Sequence, residues 1–456
     1  MIKFILFILL NHFVASIIDT INKFGGINMK YVLKNCNMYS GKEKDDLITG
    51  VNIYIDDEII SNLDTNADTQ AEYEILDCTD KYVIPGLINL HSHLFGSGKP
   101  SKNLNAGAKQ QKLIKLAGTW LGKAILDKVV MKNMRNVLYS GCTTVRGMGD
   151  FFESDIRARD KINSGKAIGP RLKVSGFAIT SPIGHGAGTF AITGETKAEL
   201  EKCVDRIHSN NPDIIKICTT GGVMDAKVKG EPGEVKMTLS QVKAVCDQAH
   251  KYGYKVASHT ESTKGMYVAL EGGVDTIEHG AIIDEKLVEL FKKNNASLTA
   301  TFSPAIPFAL LDPSITKMGD LQKYNAEVLL DQFVSGIKTA LKEEIPVGMG
   351  TDASCPFAFQ YNMWRELVYF TKYINCSNKF SIFTATLQNA KIIGCDDVTG
   401  SIEVGKFADI IIMDKNPIED LNALRKLDAV IYKGQIHTKL KIKKNEEFEK
   451  ILDNLC

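Results

Sequence analysis

Residues 83–93 read VIPGLINLHSH. An apolar run closes on two imidazoles one residue apart. In an extended strand, side chains at i and i+2 face the same way, so His91 and His93 present both rings to one side. A buried strand ending in two aligned histidines predicts a site at its C-terminal end. The same grammar recurs downstream. Short β-branched runs alternate with longer segments of helical period, which predicts βα units and a parallel sheet. Seven further runs follow: CTTVRGMGD (142–150), RLKVSGFAIT (171–180), DIIKICTT (213–220), KVASHTES (255–262), DTIEHGA (275–281), SLTATFSP (297–304) and IPVGMGTDAS (345–354). Eight such repeats close naturally into a (β/α)8 barrel of the TIM type.

Outside that region the pattern changes. Residues 29–82 read as short strands broken by turn residues, and residues 401–437 return to strand character in GSIEVGKFADIIIMD and LDAVIYKGQI. The expected organisation is an α/β barrel over 83–400 with a small β-sandwich domain built from 29–82 and 401–437. Residues 438–456 form a charged tail, expected to be a solvated helix or a frayed end. Residues 1–28 stand apart, as either a short signal peptide or an upstream extension. Their apolar run is too short to span a bilayer comfortably.

Composition bounds the function. The chain has 456 residues, 44% hydrophobic and 24% charged, with a net charge of +1. Nothing in that balance calls for nucleic acid or a membrane as partner. A small-molecule or dipeptide substrate is expected, and a homo-oligomer is left open. Ten cysteines are scattered without a CxxC pair, which reads as reduced thiols in a cytoplasmic protein. Secretion is the alternative if residues 1–16 act as a signal.

In a barrel of this kind, polar groups at strand C-terminal ends gather in one mouth. His91 and His93 end the first strand, Lys216 lies in the fourth, His259 ends the fifth, His279 the sixth and Asp352 the eighth. These N and O donors suit zinc or a similar divalent ion, and their surplus over one coordination sphere suggests two metals. Lys216 is the odd member, since an ammonium beside divalent cations is repelled. A free lysine is neutral in roughly one molecule in a few thousand at pH 7, and nearby metals shift that balance towards the amine. The amine can then add carbon dioxide to give an anionic carbamate able to bridge two ions.

These motifs carry a family resemblance. PGLINLHSH, IIKICTTGG, ASHTES, TIEHG and GMGTDAS, in this order, resemble the amidohydrolase superfamily of metal-dependent hydrolases, over about residues 29–437. The branch it is most similar to holds imidazolonepropionase-related enzymes and Xaa-Pro or basic-residue dipeptidases. The resemblance implies that His91, His93 and Asp352 hold the more buried metal, His259 and His279 the more exposed one, and carboxylated Lys216 bridges them. It also implies that Asp352 carries a proton from water to the leaving nitrogen. Asn89 departs from it, standing where many relatives have Asp. Lys216 argues against a one-metal imidazolonepropionase or deaminase. The leading expectation is hydrolysis of an amide bond in a dipeptide or N-acyl amino acid. A cyclic-amide or lactone hydrolase is the alternative, and a non-catalytic scaffold the alternative of another class.

Other residues are assigned more loosely. His185, in the glycine-rich SPIGHGAGTF, is read as a lid imidazole touching substrate, catalytic or binding. Gly221 and Gly222 are read as a turn that lets backbone approach the substrate. Arg146 either orients a substrate carboxylate or pairs with Asp150. Cys218 and Cys355 are read as core thiols near the site, and His208 and His250 as surface residues. Trp120 and Trp364 are read as packing.

Overall fold

The computed structural model describes residues 30–66, 70–100 and 108–456. The apolar stretch 1–28 lies outside them. The described chain divides into two compact units, one containing the residues up to Ile88 with Leu138–Thr143 and Asn378–Ile442, the other holding Asn89–Val137, Thr144–Ser377 and Lys443–Cys456.

The first unit is built on one connected sheet of eight strands. Lys30–Met38 pairs with Ile48–Asp56 antiparallel, and Ile410–Met413 lies antiparallel to Tyr82–Pro85 with Ile411 opposite Ile84. Segments far apart in sequence therefore share one sheet. Leu33, Ile53, Ile55, Ile410 and Ile431 form its fully buried core. Asn35, at φ 62°, sits where the register with Ile48–Asp56 shifts, a left-handed position that Asn tolerates.

The second unit is mixed α/β with parallel sheets. Seven strands run in the order Ala191–Thr193, Ala178–Thr180, Ile215–Cys218, Val256–Thr260, Thr276–His279, Ser297–Ala300 and Val347–Met349. A three-stranded sheet contains Leu87–Ser92, Cys142–Gly147 and Arg171–Lys173. Neighbouring strands are in parallel register, with Cys218 beside His259 and Thr260 beside His279. The central strands are buried along their whole length, polar residues such as Lys216, His259 and Glu278 included.

Helices return the chain between strands, and their starts are written locally. Thr196 and Thr238 each close a capping box, on Lys197–His208 and Leu239–Lys251, while Ser262 and Asp284 cap Thr263–Glu271 and Glu285–Asn294. The two sheets of this unit meet through backbone hydrogen bonds. The amides of Thr351 and Asp352 donate to the His91 carbonyl at 3.1 and 2.8 Å, and His93 donates to Ala353 at 3.0 Å. On the other flank Asp213 donates to Val174 at 2.7 Å.

Two expectations are corrected. Trp364 is buried, but Trp120 is 85% exposed, because the helix Trp120–Tyr139 enters the core only from Val130 onward, and Trp120 stands at its uncovered end. The tail is not merely solvated, since its helix Glu446–Asp453 buries Glu449 and Leu452. Among the described residues no helix is long and apolar enough to cross a membrane.

Candidate metal centre

His91 and His93 do lie side by side, their ring centroids 5.7 Å apart. The other nitrogen of each ring decides what they offer. His93 Nδ1 lies 2.6 Å from the Gly149 carbonyl, which can only accept, so Nδ1 carries the proton. His91 Nδ1 lies 2.8 Å from Glu278 Oε2, and the buried carboxylate accepts in the same way. Both rings are thereby left with an Nε2 lone pair, the arrangement typical of metal-binding histidine. Asp352 Oδ1 sits 3.4 Å from each Nε2, buried and without a hydrogen-bond partner. An anionic oxygen facing two lone pairs at that spacing fits a cation shared by all three.

A second group lies beside the first. His259, Glu261 and His279 bring ligand atoms within 4.8 Å of one another, as do His91, His93 and Asp352. The ring of His279 is 4.7 Å from that of His91 and 4.7 Å from that of His259. His279 and Asp352 both have positive φ, at 72° and 49°, in the left-handed region that His and Asp enter more readily than most non-glycine residues. Lys216 is 1% exposed, and its Nζ has no hydrogen-bond partner. Burial lowers its pKa, against the opposing pull of Glu278. Burial would raise the Asp352 carboxyl, but His91, His93 and His279 hold it well below the usual range.

These groups open on a cavity of about 650 Å³, lined also by His185, Gly222, Asp225 and Cys218. His185 stacks on His259 at 4.4 Å with the planes 7° apart, and its Nδ1 is 2.5 Å from Asp225 Oδ2. The profile of the amidohydrolase family matches residues 82–437. The chain belongs to the amidohydrolase family. It is a hydrolase of carbon–nitrogen bonds.

This amidohydrolase is similar to a solved structure from Bifidobacterium longum provisionally named a prolidase, at 33% identity and TM-score 0.82, covering 94% of this chain and 99% of that one. A Xaa-Pro dipeptidase with methionine bound in its active site is 29% identical, with TM-score 0.76 over 90% of this chain and 100% of that one. Ochratoxinase from Aspergillus niger is 23% identical over 424 residues, 84% of this chain and 81% of the relative.

Arg146 departs from its expected place in the amidohydrolase site. It does not line the cavity and does not pair with Asp150. It is fully buried, and its Nη2 donates to Glu278 Oε1 at 2.7 Å while its Nε donates to the Leu90 carbonyl at 2.6 Å. A guanidinium taken out of water needs a carboxylate, and Glu278 lies beneath His91 while Asp150 accepts from the Leu94 amide. Gly222 lines the cavity; Gly221 instead offers its carbonyl to His259 Nε2 at 3.3 Å. Asn89 accepts from the amides of His91 and Thr351 at 3.1 and 3.0 Å and donates to Thr351 Oγ1 at 2.8 Å. An aspartate there could only accept, so the Thr351 hydroxyl would have to donate instead.

Three residues near the site escape the sequence reading. Glu261 stands two positions after His259, the same spacing that pairs His91 with His93, so the signal was present in HTE. Glu278 precedes His279 in an apolar strand, where a lone carboxylate is rarely buried unless paired. Asp225 carries no sequence signal, since only folding brings it to His185.

Proposed function

We propose that this amidohydrolase holds two divalent metal ions, zinc being the expected species, and hydrolyses an amide bond in a dipeptide or N-acyl amino acid. The observation that carries this reading is Asp352 Oδ1 facing the Nε2 atoms of His91 and His93, next to a second cluster and a buried, unpartnered Lys216 Nζ. In this reading the two sheets of the second unit form one closed (β/α)8 barrel, supported by the His91–Asp352 and Val174–Asp213 hydrogen bonds at the two flanks.

His91, His93 and Asp352 would hold one ion, and His259 with His279 the other. Lys216 would add carbon dioxide at Nζ, losing a proton, so that the new carbamate oxygens serve both. Such ions, when bound, lower the pKa of water and stabilise the developing oxyanion. Asp352 would accept the proton of the attacking water and return it to the leaving nitrogen through Oδ2, since Oδ1 faces the two imidazoles. His185, whose Nδ1 donates to Asp225, keeps Nε2 as an acceptor and would take an N–H of the substrate rather than its carbonyl or carboxylate oxygen.

The test is metal analysis combined with incubation of the metal-loaded protein with a library of dipeptides and N-acyl amino acids, read by mass spectrometry. Two ions per chain and cleavage of at least one compound class are expected. Lys216→Ala should lose bound metal and activity together. Full metal occupancy with unchanged turnover in that variant would remove the bridge, and a library left intact would remove the function.

A further inference from the structure

One wall of the cavity carries no polar side-chain atoms. The helix Phe302–Leu310 contributes Pro304, Ala305 and Phe308, and the helix Asp320–Lys342 contributes Ala326, Leu329 and Phe333. The last three are spaced by three and four residues, which places them on one helical face. The wall adjoins the His259 and His279 cluster directly, because the Phe333 ring lies parallel to that of His279, 6.2 Å away. It is also held close. A Cβ on Gly336 would meet the Ala281 carbonyl oxygen at 1.9 Å, so the longer helix approaches the end of the sixth strand as only glycine permits.

Charges sit elsewhere. Asp225 is engaged by His185, and Glu261 accepts from the Val223 amide at 2.9 Å. Among the described lining residues there is no arginine, and no lysine besides Lys216. A charged substituent laid on Leu329 and Phe308 would lose its water and meet no charged group among the six wall residues, whereas an apolar one exchanges water for carbon contacts.

We propose that this wall is a specificity subsite for a bulky apolar side chain, branched aliphatic, thioether or aromatic, on one of the two residues flanking the cleaved bond. The inference rests on the amide-hydrolase reading above and adds to it the class of substrate. A pocket that gains or loses a few methylenes discriminates by about ten- to two-hundredfold.

The experiment is a dipeptide panel in which each position is varied in turn through Gly, Ala, Leu, Met, Phe, Asp and Lys, with kcat/KM measured on the metal-loaded enzyme. At one position Leu, Met or Phe should exceed Gly by at least tenfold, and Asp and Lys should not. Ala326→Leu, which fills the wall, and Leu329→Ala, which removes part of it, should each reduce the Phe-to-Gly ratio at least tenfold. Equal rates for Gly and Phe at both positions, or a preference for Asp or Lys there, would overturn the subsite. If no member is cleaved, the hydrolase reading fails by itself, and binding still decides the wall. Free leucine and phenylalanine should then raise the thermal midpoint of the metal-loaded protein more than glycine or aspartate does, and equal shifts would overturn it.

Discussion

His91 is held between two carboxylates, with Nδ1 on Glu278 at 2.8 Å and Nε2 facing Asp352 at 3.4 Å. Burial, reinforced by the charge of Lys216, lowers its pKa to about 4 despite the pull of both acids. The unfolded chain, with a histidine near pH 6.5, therefore takes up this proton first on acidification. Stability is fully present above about pH 6.5 and is lost as pH falls through about 4. Chelator-treated protein should lose on the order of 3 kcal/mol over that window from His91, measured by urea unfolding at successive pH values. A flat profile would show that the ring is not buried neutral. Glu278 joins this histidine to Arg146, 132 residues away along the chain. Arg146 and Glu278 hold the guanidinium and the carboxylate in their charged forms out of water, so Glu278→Gln leaves an uncompensated cation. Removing one member of a buried pair costs about 3–5 kcal/mol, and that loss is expected in equilibrium unfolding. The partner of Arg146 was not legible beforehand because charge complementarity says only that one must exist. Glu261 was legible, by the same two-residue spacing that exposed His91 and His93.

At the scale of elements, the site depends on close approach between strands. A Cβ on Gly350 would come within 2.3 Å of the His91 amide nitrogen, so only glycine lets the end of Val347–Met349 reach the first strand. Gly350→Ala should push Asp352 away from His91 and His93, weakening zinc binding by tenfold or more in a calorimetric titration. Gly336→Ala is a second case. Alanine favours a helix by about 1 kcal/mol over glycine, yet here the added carbon meets the Ala281 carbonyl. A net loss of stability is expected, and a net gain would mean that this helix is free to shift. Such contacts are invisible in the sequence, where GMGTD and VSGIK look like ordinary turn and helix. Strand and helix existence was legible, because periodicity and caps such as Thr196 and Thr238 are local.

For the molecule as a whole, the tail belongs to the second unit's structure. Arg365, buried, pairs with Glu449 at 3.0 Å and Asp453 at 2.9 Å, and Asn362 donates to Glu449 at 2.8 Å. Arg365 of this network immediately precedes Glu366, which accepts from the amides of Phe302 and Ser303, at the start of one of the two helices that supply the apolar wall. Deleting residues 443–456 strands the Arg365 charge. Thermal and urea unfolding should both show destabilisation, on the order of 3–5 kcal/mol, with partial recovery when Arg365→Met is added to the deletion. No recovery would place the effect in the packing of Leu452 instead. A tail reading KLKIKKNEEFEK looks solvated because its charges are visible in sequence while their buried partner is not.

The amino-acid sequence by itself determined that strands and helices alternate, that His91 and His93 share a face, and that histidines, a lysine and an aspartate lie in or at the ends of five separate strands. Those features follow from backbone sterics and side-chain period, which act over a few residues. Only the tertiary structure decided that Arg146 turns to Glu278, that Asp225 orients His185, and that two helices present an apolar wall beside His279. Those choices depend on which distant groups can share a volume without water, and burial cost selects among partners that the linear chain leaves equivalent.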